Sequence, residues 1–177
     1  DSDTITIATG NYSDDTFVFK NMEKVTLGGA VTIDSVQLDN DNSFLMSGAS
    51  KVTVVAEAAD TVDLSNITFD PNAIGNFAVT GSTGVDVITG SAVVDVIDGG
   101  TGNDTVTFGT GADRFTYDTT ADGVDTFTDF TTTSDTWQTD FTTTLSTGAS
   151  AIVTSAAYSD AALVFDNTAT DVKQVTG

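Results

Sequence analysis

Up to position 80, apolar and polar side chains alternate in short runs. These lie at 4–8, 16–20, 24–27, 30–38, 43–46, 51–56, 61–64, 67–69 and 77–80. Val, Ile, Thr and Phe fill them, and Gly, Asn, Asp and Ser separate them. That is the pattern of half-buried strands joined by turns. Spacings cluster near ten, and no stretch keeps a helical period long enough to predict a helix. The one proline, Pro71, falls in a predicted turn at 70–72.

From position 81 the rhythm tightens to a strict nine. Four blocks follow one another: GSTGVDVIT (81–89), GSAVVDVID (90–98), GGTGNDTVT (99–107) and FGTGADRFT (108–116). Asp fills the sixth place of each, as Asp86, Asp95, Asp104 and Asp113. An apolar residue fills the eighth, as Ile88, Ile97, Val106 and Phe115. Only a repeated backbone unit holds an acid and an apolar residue in phase in this way. The first six places read as a turn, in which glycine supplies positive-φ positions and lets carbonyls crowd inward. The last three, such as Thr105-Val106-Thr107, read as a short strand with one inward side chain. Two blocks then make one coil, so the turns of blocks one and three stack on one edge and those of two and four on the other. Stacked turns bring carboxylates and carbonyl oxygens around one gap. Such a cage of hard oxygen ligands suits Ca²⁺ better than Mg²⁺ or a transition metal.

The blocks resemble the glycine- and aspartate-rich nonapeptide of the RTX family, G-G-x-G-x-D-x-(apolar)-x. Block three matches at every place. Block one has Ser82 for the second Gly, block four has Phe108 for the first, and block two has Ser91 and Val93 for two glycines. Downstream, Asp125-Thr126-Phe127-Thr128-Asp129-Phe130 and then Ser134-Asp135-Thr136-Trp137 are similar to the segment that closes many RTX arrays. Residues 122–125 read as a fifth block after a three-residue insertion, with Asp125 sixth and Phe127 eighth.

The resemblance implies an all-β fold, a right-handed parallel β-solenoid (β-roll) with calcium-binding turns and a C-terminal β cap. Three zones are expected: irregular coils at 1–80, the calcium-binding β-roll at 81–136 and the cap at 137–177, with β-like patches at 151–154 and 162–165. About seven coils stacked at ~4.8 Å make a rod of roughly 35 Å. The expected cofactor is Ca²⁺, with Asp86 paired to Asp104, Asp95 to Asp113, and Asp125 joining Asp104 or Asp113. Carbonyls of Gly81, Thr83, Gly99, Thr101, Gly102, Gly109 and Gly111 complete the expected ligand set.

Composition sharpens this picture. The net charge is −21, with 26 acids against five bases, and only Glu23 and Glu57 among the acids are glutamate. Asp is the acid favoured in turns. Self-repulsion at this charge opposes a compact state. Yet 39% of residues are hydrophobic, eleven of them Phe, too apolar for simple disorder. Bound cations reconcile the two. Nucleic acid is excluded as a partner, because nothing neutralises phosphates. An anionic membrane repels the chain unless calcium bridges the two, and no run of eighteen apolar residues predicts direct insertion. The chain has no Cys and therefore no disulfide. It begins at Asp1 rather than Met, which reads as a processed chain or a piece of a longer one. RTX proteins usually leave the cell by type I secretion without an N-terminal signal, so a secreted or bacterial cell-surface location is expected.

Other constellations are weaker. Residues 39–43 (DNDNS) space oxygens like the start of an EF-hand loop, but Phe44 and Ser50 stand where Gly and Glu are needed. Asp60 and Asp63 lie in a repeat-like ending without glycines, and Asp1, Asp3, Asp14 and Asp15 read as solvated turns. Threonine runs at 131–133 and 142–144 are better explained by strand propensity than by an ice-binding array. No His or Cys is present, which removes His-based triads, thiol nucleophiles and the usual zinc sites. The five bases, Lys20, Lys24, Lys51, Arg114 and Lys173, are too scattered for the basic clusters of β-helical lyases. No enzyme activity is expected of this chain.

Two function classes remain. One is a calcium-dependent structural protein of a bacterial surface layer or extracellular matrix. The other is the C-terminal secretion and folding module of a toxin, hydrolase or adhesin. Calcium-bridged self-association is expected, because solenoid ends leave open strand edges. A cell-surface polysaccharide is a further candidate partner.

Overall fold

Most runs of alternating residues become strands too short to stand alone, and these pair with strands one coil further along the chain. The computed structural model describes residues 4–13, 18–19, 22–38, 45–48, 51–69, 76–117, 122–131, 133–139 and 163–166. Three sheets form the walls. The first contains β1 (Thr4–Ile7), β3 (Lys24–Leu27), β5 (Leu45–Ser47) and β8 (Thr68–Phe69). The second contains β2 (Gly10–Asn11), β4 (Val31–Asp34), β6 (Lys51–Val55), β9 (Asn76–Thr80), β11 (Asp95–Asp98), β13 (Arg114–Tyr117) and β15 (Thr136–Thr139). The third contains β7 (Thr61–Asp63), β10 (Val87–Thr89), β12 (Thr105–Thr107), β14 (Val124–Phe127) and β16 (Leu163–Asp166). All pairings between these strands are parallel except β14 with β16. The protein is a parallel β-solenoid, with seven rungs in its longest wall.

The register gives the length of each coil. Thr4 pairs with Lys24 and Lys24 with Leu45, steps of 20 and 21. Lys51 pairs with Asn76 and Thr61 with Val87, the longest steps, at 25 and 26. Here the first sheet ends at β8 and the third begins at β7. Within the nonapeptide region the step falls to 18, as Val87 to Thr105 and Phe77 to Asp95. That is two blocks of nine. It then widens to 21 from Thr105 to Thr126 and to 22 from Arg114 to Thr136.

Inward residues stack into columns. Ile33, Val54, Val79, Ile97 and Phe115 form one along the second sheet, and Val62, Ile88, Val106 and Phe127 form another along the third. All are buried. The eighth place of every block therefore supplies the core, because alternation along each short strand turns its side chain inward. Phe108, at a place where glycine is usual, is fully buried. Its ring meets Phe127 and Phe130 edge-on, with centroids 5.2 and 5.5 Å apart. Phe115 lies 4.6 Å from Phe127 and 4.9 Å from Tyr117. Each such ring is worth about 2–3 kcal/mol of burial. The aromatic cluster sits where the step widens from 18 to 21 and 22 residues.

The expected strand at 30–38 is shorter than its apolar pattern implies. It stops at Asp34, which opens a 3₁₀ turn over Ser35–Gln37. The Asp34 carboxylate accepts from the Val36 N–H at 3.1 Å, and the Gln37 side chain accepts from the Asp34 N–H at 2.8 Å. That capping box turns the chain. The run at 16–20 is represented by one bridge, Phe19 to Leu38. Strand β16 falls on the patch expected at 162–165 and pairs with β14, the last parallel strand of its sheet. The pairing covers an edge that would otherwise be open. The 39–43 run, the Pro71 turn, Asp1, Asp3, Asp14, Asp15, the 142–144 run and the 151–154 patch lie outside the described residues. Among the described residues no helix is long and apolar enough to cross a membrane.

Candidate metal centre

The sixth and eighth places of a block are two apart, so both side chains face inward. Asp95 continues the column Val31, Val52, Phe77, one coil further on. An apolar column thus becomes an acidic one. Asp86, Asp95, Asp104, Asp113 and Asp125 are each 0–1% exposed.

The acids form two ladders, each rung held by the backbone of the rung before it. On one edge the Asp60 N–H donates to Asp86 Oδ1 at 2.7 Å, the Asp86 N–H to Asp104 Oδ1 at 2.8 Å, and the Asp104 N–H to Asp125 Oδ1 at 2.9 Å. On the other the Asp95 N–H donates to Asp113 Oδ1 at 2.8 Å, and the Asp113 N–H to Asp135 Oδ1 at 3.1 Å. Asp86 stacks on Asp104 and Asp95 on Asp113, and Asp125 falls in line with Asp104.

Three of these carboxylates keep one oxygen bare. Asp104 Oδ2, Asp113 Oδ2 and Asp125 Oδ2 are buried without a hydrogen-bond partner. Leaving a buried charged acceptor unsatisfied is costly. Burial accordingly pushes Asp125 and Asp95 up to about 7 and Asp104 and Asp113 up to about 6, against the backbone and side-chain donors that lower them. Like charge adds to the rise: Asp86, Asp122 and Asp98 press on Asp104, Asp135 and Asp129 on Asp113. The Tyr117 hydroxyl stands near enough to favour the charged form of Asp125 without closing a good hydrogen bond on Oδ2.

Carbonyls close in on the same gaps. Gly100 and Gly109, the second places of blocks three and four, have φ of +78° and +87°, which a side chain would strain. A Cβ on Gly100 would strike the Ser82 carbonyl, and one on Gly109 the Ser91 carbonyl. A Cβ on Gly99 would come to 2.5 Å from Asp104 Oδ2. One on Gly111 would come to 2.7 Å from Asp113 Oδ1 and 2.8 Å from the Val93 carbonyl. Gly81 would meet the Gly99 carbonyl in the same way, and Gly123, with φ of +90°, the Gly102 carbonyl. Thr101 donates its N–H to the Ser82 carbonyl at 3.0 Å, and Thr83 lies exposed in the first turn. No group of three or more His, Cys, Asp or Glu side chains is placed to hold a metal among the described residues. The acids therefore come in stacked pairs, and any cation here must draw most of its ligands from the backbone. Bare, buried carboxylate oxygens beside crowded carbonyls fit Ca²⁺, a hard ion taking six to eight oxygens in flexible geometry.

A parallel β-solenoid whose inward acids line stacked glycine turns is a calcium-binding β-roll. Residues 80–115 match the family model of the RTX calcium-binding nonapeptide repeat, in four copies. That segment is an RTX repeat array, and Ca²⁺ is the cofactor of such repeats. No curated protein and no solved structure matches the chain.

Several groups at these turns lie outside the expected ligand set. Carbonyls of Ser82, Gly84, Ser91 and Val93 abut the next turn. These are second and fourth places of blocks one and two, where the expected carbonyls were only those of Gly81 and Thr83, the first and third places of block one. Asp135 closes the second ladder although it lies further from Asp113 than two blocks. Asp60 heads the first ladder, with its own carboxylate held by the Ser35 hydroxyl and the Thr61 N–H. The signal for Asp135 was its place four after Thr131, whose N–H it accepts at 2.7 Å, the same offset that Asp86 has from Ser82. The signal for Asp60 was its place in the repeat-like ending without glycines.

Proposed function

We propose that this chain is a calcium-dependent structural protein of a bacterial surface layer or extracellular matrix, which folds and assembles outside the cell when Ca²⁺ binds. RTX repeats are typical of secreted bacterial proteins, which supports an extracellular or cell-surface location. The observation that carries the calcium part is the set of bare oxygens on Asp104, Asp113 and Asp125 inside stacked turns. Extracellular modules bind calcium at about 10⁻⁴–10⁻³ M. Such sites stay empty at cytosolic calcium and fill outside. Each filled site then adds about 2.7 kcal/mol at a hundredfold excess over Kd.

The structural part is supported by the solenoid whose seven-stranded wall runs on from the upstream coils through the repeats. Coils from β1 to β9 extend the walls beyond the matched repeats. Strands β1 and β2 stand at sheet edges, open to pairing with a second copy or another domain of the same polypeptide. At −21 per chain, contacts between acidic faces require bridging Ca²⁺. Cell-surface polysaccharide is a second partner we propose, reached through the same cations.

Electron microscopy of the purified protein in millimolar calcium, then in chelator, tests this reading. Sheets or fibres that dissolve on chelation are the expected result. A monomer at high concentration in calcium, with no assembly, favours the second reading: a secretion and folding module of a larger toxin, hydrolase or adhesin. The RTX array favours that reading equally, and a catalytic or adhesive neighbour in the full-length gene would decide for it.

A further inference from the structure

The four turns match one repeat pattern, yet they are not built alike. In blocks one and two the second place is serine. The Ser82 N–H donates to Asp86 Oδ2 at 2.7 Å, and the Ser82 hydroxyl lies 2.9 Å from Oδ2 and 3.2 Å from Oδ1. Asp86 Oδ1 also accepts from the Asp60 N–H. Block two repeats this: the Ser91 N–H reaches Asp95 Oδ2 at 2.7 Å, and its hydroxyl lies 3.0 Å from each oxygen. Both carboxylates are closed by donors from their own turn.

In blocks three and four the second place is glycine with positive φ. That backbone swings the N–H away from the block's own acid. The Gly100 N–H goes to Asp98 at 2.9 Å and the Gly109 N–H to Asp129 at 2.9 Å. Asp104 Oδ2 and Asp113 Oδ2 are left bare. One residue type thus selects between two turns. Serine resists the positive φ and brings its own donor, whereas glycine permits it and brings none. Further along, Asp125 Oδ2 is bare as well, beyond the end of the matched repeats at 115. Asp135 is closed again, by the Thr131 N–H, the Asp113 N–H and the Ser134 hydroxyl.

We propose that Ser82 and Ser91 stand in for the cation in the first two turns, so that metal binding is confined to Asp104, Asp113 and Asp125, the last outside the matched repeats. This rests on the reading that the turns hold calcium, and it names which of them do. The coil at 81–98 then forms without metal, as a continuation of the upstream solenoid. It presents a finished edge on which the coils from 99 onward assemble when calcium arrives. Those coils carry bare acids and cannot close their own turns.

Hydrogen exchange of the whole chain in calcium and in chelator, with calorimetric calcium titration, tests the proposal. In chelator, amides of 87–89 and 95–98 should stay protected with β6 and β9, while those of 105–107, 114–117 and 124–127 lose protection. The Ser82→Gly/Ser91→Gly double variant should bind more calcium per chain than the parent. Asp125→Asn should bind less, or raise the calcium midpoint about tenfold, equivalent to about 1.4 kcal/mol. Circular dichroism in millimolar calcium checks that both variants fold. If calcium binds but exchange in chelator is uniform from β9 to β14, the proposal falls and the calcium reading stands. The proposal falls in the same way if the double variant folds and binds no additional calcium. If the parent chain binds no calcium at all, both fall together.

Discussion

Removing calcium at neutral pH and then lowering the pH should restore β structure, because protons can take the place of the metal at the bare carboxylates. Burial raises Asp104 and Asp113 from the ordinary 3.8 to about 6 and Asp125 to about 7. At about 1.36 kcal/mol per pH unit, this corresponds to about 3 kcal/mol for each of the first two and about 4 for the third. Asp95, also raised to about 7 by burial, acts in the same direction, so together these acids oppose folding of the ionised, metal-free chain by an amount that is a large part of a domain's stability. The folded pKa values lie above the unfolded ones, so between about pH 4 and pH 7 the native state holds more protons. Metal-free stability is therefore fully present below the ordinary carboxylate range and is lost as pH rises through about 6 to 7. Calcium reverses the preference, since it binds the ionised form.

The assay is far-ultraviolet circular dichroism in chelator from pH 7.5 down to pH 5, above the sequence pI of 4.1. The expected result is a β signal that grows as pH falls through 7 to 6, and a nearly flat signal in millimolar calcium. General charge repulsion also relaxes on acidification, so a neutral mimic separates the causes. Asp104→Asn and Asp125→Asn should raise β content in chelator at pH 7.5, and Glu57→Gln, at an exposed acid, should not. A chelated signal that stays flat across the window would refute the reasoning. So would aspartate variants that behave like Glu57→Gln.

Further outcomes follow from the same geometry. Asp104→Ala should raise the calcium midpoint of folding about tenfold or more, seen by calcium titration, because it removes a bare ligand oxygen and a rung of the ladder. Phe115→Ala should destabilise the calcium-bound protein by about 3–5 kcal/mol in urea unfolding, since the ring is buried among Phe108, Phe127 and Tyr117. Gly100→Ala places a Cβ against the Ser82 carbonyl at positive φ, and should cost about 1–3 kcal/mol of calcium-bound stability by the same method. Ser91→Ala should lower the thermal midpoint in chelator as well as in calcium, because its hydroxyl holds Asp95 in both conditions.

Much of this protein is legible in its residues. The nine-residue phase of Asp and apolar side chains determines that two blocks make a coil, that sixth and eighth places face inward, and that acids stack two blocks apart. These follow from strand parity and from glycine turns, both local properties of the chain. The fifth block was also readable, since three extra residues widen the step from 18 to 21 without changing the inward set: Asp125 and Phe127 keep their places. Tertiary structure alone decided three things. It decided that the irregular coils share one wall with the repeats, so that Val52 and Phe77 lead into Asp95. Sequence spacing cannot show this, because the joining coil, from Lys51 to Asn76, is longer than two blocks and breaks the period. It decided that Phe108 fills the interior against Phe127 and Phe130 from the next coil, while Gly109 and Gly111 keep the turn of block four. And it decided which acids are bare. In the sequence the serines of blocks one and two mark a departure from the glycine pattern, but not which carboxylate oxygens they close. A hydroxyl two atoms from the backbone closes Asp86 and Asp95, and a glycine dihedral opens Asp104 and Asp113, because the direction of one N–H is set only when the turn is packed against its neighbours.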